Sequence, residues 1–180
     1  MNKQRPNKAF RLAVMALIAA AYAALTILLA PISYGPIQFR VSEALTVLPF
    51  LMPGSVWGIF VGCVLANLYT GSILDIIFGS LATLLAGLFT AWFGKKGDTV
   101  KNRVLGCLMP VVFNAAIVGA VLTWGYRFQE FESPLASYGF NALTVGIGEA
   151  AVLYLIGYTL IRQLPKIKII REFIDRFNQK

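Results

Sequence analysis

The chain has 180 residues, 58% of them hydrophobic and 13% charged, with no histidine and a formal net charge of +8. Soluble globular chains average about 45–50% apolar and roughly 25% charged residues, so an ordinary water-soluble domain is excluded. The missing histidine removes the commonest metal ligand and general base, and basic loops facing anionic lipid explain the charge better than a nucleic-acid surface.

In chain order, Lys3, Arg5 and Lys8 precede a first apolar run over residues 10–30, and Arg11 stands at its start. The run is too long for the core of a cleaved signal peptide and matches the ~20 residues of a membrane span, so it is expected to be kept. Within it Ala16, Ala20 and Ala24 recur every four residues. Such a smooth stripe lets another helix approach closely, either inside the chain's own bundle or on a separate partner.

Arg40 and Glu43 then stand at the start of the second apolar run, over residues 41–52. Ions at that threshold are costly and are kept for a purpose. Three apart on a helix, they suit a mutual ion pair as well as a ligand contact. Pro53-Gly54 makes a tight turn into the third run, over residues 55–69. The second and third runs are both short for a ~30 Å hydrocarbon core, and they fit two tilted spans or a re-entrant hairpin.

The remaining runs cover residues 73–93, 104–124 and 138–161. Cys63 and Cys107 are isolated within apolar runs and read as small hydrophobes, with no metal or redox spacing. Lys95, Lys96, Lys101 and Arg103 fill the central loop, and Arg162, Lys166, Lys168, Arg171, Arg176 and Lys180 follow the last run. By the positive-inside rule, both termini and the central loop are expected on the cytoplasmic side of a cell membrane. The tail from about 165 to 180 places Ile170, Phe173, Ile174 and Phe177 at helical spacing, which predicts an amphipathic helix lying on the inner leaflet. The expected architecture is an all-α integral membrane protein: one transmembrane domain over residues 1–180, with six helices of which the second and third are short.

On this topology Arg40, Glu43, Asn67, Asp75 and Asn141 fall in the outer half of the bundle, with Trp124 and Tyr126 at its outer end, whereas Asn114 and Glu149 lie near the midplane. That distribution suits a cup open to the outside better than a channel. Each residue also has a structural reading. Asp75 suits a helix N-cap, Asn67 and Asn141 suit interhelical hydrogen bonds, and Trp124 and Tyr126 suit an interface belt. Glu149 is the sharpest candidate, because a midplane carboxylate is expensive unless paired, protonated or liganded.

Over nearly its whole length the chain resembles the substrate-binding S components of energy-coupling factor (ECF) transporters, and among them the QueT family. The residues that carry the resemblance are the alanine-rich first run, Ser33-Tyr34-Gly35-Pro36-Ile37-Gln38-Phe39-Arg40-Val41-Ser42-Glu43-Ala44, and Asp75-Ile76-Ile77-Phe78-Gly79-Ser80-Leu81-Ala82-Thr83. The resemblance implies a six-helix S-component bundle with its site at the outer side. It also implies a queuosine precursor, a 7-deazaguanine base, as substrate. The Ala16, Ala20, Ala24 stripe would meet a transmembrane coupling subunit driven by two ATPases.

The candidate chemistry is compatible with that substrate. A guanine-like edge presents adjacent N–H donors that one carboxylate accepts in pairs, so Glu149, Glu43 and Asp75 are candidates. Asn67, Asn114 and Asn141 suit the carbonyl and ring nitrogens, and Tyr34, Tyr138 or Trp124 could stack on the ring. A second carboxylate gains a purpose if the ligand carries an aminomethyl cation. No cofactor or metal is expected. An S component for another small vitamin and an autonomous secondary transporter remain alternatives. An enzyme is not expected, because no serine stands in a G-x-S-x-G setting; nor is there a G-x-x-x-x-G-K-[ST] loop, so ATP-driven transport would need partner proteins.

Overall fold

In the computed structural model of the protein, residues 8–33 and 39–179 are described, and among them all regular structure is helical. Five helices are long and apolar enough to cross a membrane: α1 (Lys8–Leu28), α3 (Pro53–Thr70), α4 (Asp75–Lys95), α5 (Val100–Gly125) and α6 (Pro134–Lys166). Between the first two lies α2 (Val41–Leu51), and α7 (Lys168–Asn178) follows the last. The bundle is that of a multi-pass membrane protein.

The third apolar segment is longer than its sequence suggested. Pro53 initiates the helix instead of separating it from the turn, and α3 reaches 18 residues. At 1.5 Å per residue that is about 27 Å, close to a full span. Only α2 stays short. It starts as a tight 3-10 helix over Val41–Val47 and ends in one α-helical turn over Leu48–Leu51.

The long helices pack in sequence, α1 on α3, α3 on α4, α4 on α5 and α5 on α6, while α2 touches α1, α4, α5 and α6. It therefore runs inside the bundle, and Ser42, Glu43, Ala44, Thr46, Val47, Leu48, Pro49 and Phe50 are all buried. A helix covered on every side has no face to give to water, so its polar side chains, Ser42, Glu43 and Thr46, have to find partners inside the bundle.

Two glycines set this arrangement. A Cβ at Gly62 of α3 would stand 2.8 Å from the Ala19 carbonyl and 2.9 Å from Tyr22 Cβ, so the bare backbone is what lets α1 and α3 touch. A Cβ at Gly157 of α6 would stand 2.8 Å from Val47 Cγ1, so α2 lies directly against α6.

One end of the bundle, here the basic end, carries the turn between α4 and α5 together with α7. There Arg103 donates to both oxygens of Asp98, at 2.5 and 2.7 Å, and holds that carboxyl below the usual carboxylate range. The distal end carries the turn between α3 and α4 and the 126–133 loop.

The tail helix α7 is folded onto the bundle, with Ile174 and Phe177 buried in a core that includes Val14, Ile18, Leu48 and Met52. Arg11 Nε and Nη2 donate to the Phe177 and Gln179 carbonyls at 2.9 and 2.6 Å, and Asn178 Nδ2 donates to the Leu51 carbonyl at 2.8 Å. The amphipathic pattern was legible in the sequence. Its apolar face covers protein at Ile174 and Phe177, and Ile169 remains exposed.

Candidate functional site

The interior around α2 concentrates the buried polar groups. Tyr22 occupies the same face of α1 as Val14, Ile18 and Thr26, all buried. Its hydroxyl donates to Glu43 Oε1. One turn on, Thr26 Oγ1 and Ser42 Oγ share a hydrogen bond of 2.6 Å, and Thr46 Oγ1 donates to the Glu43 carbonyl at 2.6 Å. Across the interior, Asn114 of α5 donates through Nδ2 to Glu149 Oε1 of α6 at 2.8 Å, and it also neighbours Glu43.

Arg40 is 6% exposed and donates through Nε to the Ser33 carbonyl at 3.3 Å. It neighbours both Glu43 and Glu149. Two carboxylates from separate helices, an asparagine and an arginine thus converge. Glu43 is 1% exposed and Glu149 3%.

What distinguishes this cluster is what is left over. Glu43 Oε2 and Glu149 Oε2 are buried without a hydrogen-bond partner among the described residues, and so is Asn67 Oδ1. A buried acceptor with no donor costs about 1–3 kcal/mol, more where it is charged, so such atoms mark a place for a donor the protein does not supply. Asn67 belongs to the same neighbourhood through Cys63, since its Nδ2 lies 3.4 Å from Cys63 Sγ, and Cys63 neighbours Tyr22 and Glu43. The two open carboxylate oxygens and the Asn67 carbonyl are acceptors, and the Ser33 hydroxyl, next to the carbonyl that Arg40 bonds, is buried without a partner as well.

The distal polar residues behave differently. Asp75 Oδ2 accepts from the Tyr126 hydroxyl at 2.7 Å, and Tyr126 also bonds Ser72 Oγ, which ties the start of α4 to the end of α5. Ser72, and not Asp75, caps this turn, because its Oγ accepts from the Asp75 amide at 3.3 Å. Asn141 spends both amide hydrogens on Thr123 Oγ1 and the Phe128 carbonyl, each at 2.9 Å, and so fixes the 126–133 loop to α6. Asn67 likewise spends its amide on the Asp75 carbonyl at 2.8 Å and on Ser80 Oγ at 3.4 Å.

The Trp124 and Tyr138 rings meet each other with centroids 5.1 Å apart, and Trp124 is 53% exposed. Tyr34 lies outside the described residues. Ala16, Ala20 and Ala24 are exposed on the bundle surface, while Ala19 and Ala23 turn inward. Among the described residues the stripe is therefore not consumed by packing inside this chain.

Tyr22 is the residue the sequence reading missed. Its signal was phase: positions 14, 18, 22 and 26 form the buried line of α1, and Tyr22 puts a hydroxyl on it. Among the described residues no three histidine, cysteine, aspartate or glutamate side chains converge to hold a metal ion.

The family model described as QueT transporter matches residues 12–166. A relative from Lactococcus lactis subsp. cremoris (strain MG1363), named Queuosine precursor transporter QueT, is 37% identical over 83 residues. That match covers 45% of this chain and 49% of the relative, so the chain spans about half the length of the relative it matches. No solved structure matches.

Proposed function

Since the chain belongs to the QueT transporter family, we propose that it is the substrate-binding membrane subunit of an ATP-driven uptake transporter of the ECF type, and that its ligand is a queuosine precursor with a 7-deazaguanine base. The observation that carries the reading is the pair of buried carboxylates, each with one oxygen held by the protein and one open. Two buried carboxylates beside a single arginine leave an excess of negative charge and of acceptors. A ligand that brings adjacent N–H donors satisfies both.

In this reading Glu149 accepts the N–H pair of the guanine-like edge while Asn114 holds its other oxygen. Glu43, steadied by Tyr22, takes a second donor, such as an aminomethyl cation. Arg40 compensates part of the charge and lets the empty site exist without two bare anions in a membrane interior. Asn67 offers its open carbonyl to a further ring donor. Binding energy comes from repairing acceptors that folding leaves unpaired, so a base lacking those donors gains little.

The basic end faces the cytoplasm in this proposal, by the charge of its loops, and the ligand arrives from the distal, outer end. Residues Asp75, Tyr126 and Asn141 brace the rim of that opening. The exposed Ala16, Ala20, Ala24 face is the docking surface for a transmembrane coupling subunit, with two ATPases supplying the energy that this chain has no motif to obtain.

The deciding experiment is mass spectrometry of small molecules that co-purify with the protein in mild detergent. A 7-deazaguanine is the expected result. A vitamin in its place would overturn the substrate assignment. Transport by the chain alone in ATP-free liposomes would overturn the ECF assembly.

A further inference from the structure

At the basic end an open cleft of about 600 Å3 separates α7 and the α2–α3 turn from the end of α4. We infer that this cleft is a binding site for the anionic headgroup of a membrane phospholipid. Its lining joins two kinds of surface. Met15, Phe50, Trp57 and Phe177 are apolar or aromatic, Arg11 and Lys95 are cationic, and no lining side chain is acidic.

The cations are the informative part. Neither Arg11 nor Lys95 is ion-paired among the described residues, although the Arg103–Asp98 pair nearby shows that an acid at this end can be met. Arg11 lines the cleft and donates through Nε and Nη2 to the carbonyls that end α7, which fixes the guanidinium plane. A guanidinium held this way suits a phosphate, since little side-chain freedom remains to be lost on binding. Lys95, exposed at the end of α4, supplies a second charge.

The apolar part says which phosphate. A free anion has no use for the greasy lining, whereas a phospholipid places its phosphate at the level of the cations and its glycerol and first methylenes along Met15 and Trp57. Trp57 is 57% exposed, which is where an indole sits at a membrane–water boundary. Basic pockets between helices at that boundary are established lipid sites in general. The site would tie α1, the α2–α3 turn, α4 and α7 together from the membrane side, and it is separate from the Glu43–Glu149 interior.

The test is thermal unfolding of the full chain in neutral detergent, with added phosphatidylglycerol, phosphatidylcholine or inorganic phosphate. Phosphatidylglycerol is expected to raise the midpoint by about 3 °C or more, as a ligand that binds only the folded state does. Phosphatidylcholine and inorganic phosphate are expected to raise it by less than half as much. The exposed substitutions Lys95→Gln and Trp57→Ala, combined, should remove the phosphatidylglycerol shift while leaving the lipid-free midpoint within about 2 °C. Native mass spectrometry should show one phosphatidylglycerol retained on the wild type and lost from the double variant. Equal shifts with both lipids, a full shift with inorganic phosphate alone, or a double variant that keeps its lipid would each overturn the proposal.

Discussion

The interior of the bundle and its distal end are both rich in polar side chains, yet the carboxylates with an open oxygen, Glu43 and Glu149, both lie in the interior. At the distal end Tyr126 meets Asp75 and Ser72, and Asn141 spends its amide on Thr123 and Phe128. These groups hold helix ends and a loop in place. In the interior Glu43 and Glu149 each hold one bond and keep a second oxygen free. Polarity inside a membrane bundle is therefore a poor marker of a site by itself. Unused hydrogen-bonding capacity on costly buried groups is a better one, because glue saturates itself and a receptor must not.

That contrast gives an order of expected effects. Glu149→Gln should weaken binding of a 7-deazaguanine by about 100-fold or more, since it replaces a charged acceptor with a neutral amide. Glu43→Gln should cost about 10-fold, because Tyr22 can still donate to the amide oxygen and only the charge is lost. Both are read by calorimetric titration of the purified subunit.

Ala20→Trp should leave that affinity within about twofold and yet block uptake in cells, because a large side chain on an exposed small-residue face obstructs a partner helix and nothing inside the bundle. Normal uptake by this variant would remove the stripe from the docking surface. Asn141→Ala should lower the unfolding midpoint by a few degrees, for a loss of about 1–2 kcal/mol, with affinity changed less than about threefold. The smallest effect is expected for Asp75→Asn, whose side-chain oxygen still accepts from Tyr126. Its affinity should stay within about twofold of wild type. A large loss of binding in either distal variant would erase the distinction between the two regions.

Much of the fold was readable from hydropathy. The positions of the long apolar helices follow from run length, and the chain's membership of a membrane transporter family agrees with them. The course of α2 was not readable. A short apolar run such as residues 41–52 looks the same as a short span, a re-entrant leg or an interior helix, and only the contacts of the helix on all sides distinguish these. The length of α3 was underestimated because proline reads as a breaker, although at the first helical position its missing donor costs nothing.

For the site, Arg40, Glu43, Asn114 and Glu149 stood out by cost alone, since ionic and amide groups are conspicuous in apolar runs. That Glu43 and Glu149 share one interior was not legible, because nothing in their spacing of 106 positions places α2 against α6; Gly157 does. Tyr22 was hidden for the opposite reason. A tyrosine in an alanine-rich span is unremarkable until its phase is read against the buried line of α1. The docking of α7 was likewise beyond reach, as an amphipathic pattern defines an apolar face without naming what covers it.

The central claim is that a buried carboxylate reads the donor edge of the base. Its most direct test is calorimetric titration of the wild type and Glu149→Gln with 7-deazaguanine and with the analogue that lacks the 2-amino group. The wild type is expected to prefer 7-deazaguanine by about 10-fold or more, and Glu149→Gln is expected to bind the two within about twofold of each other. An undiminished preference in Glu149→Gln would contradict the account and move the reading of the base to another residue.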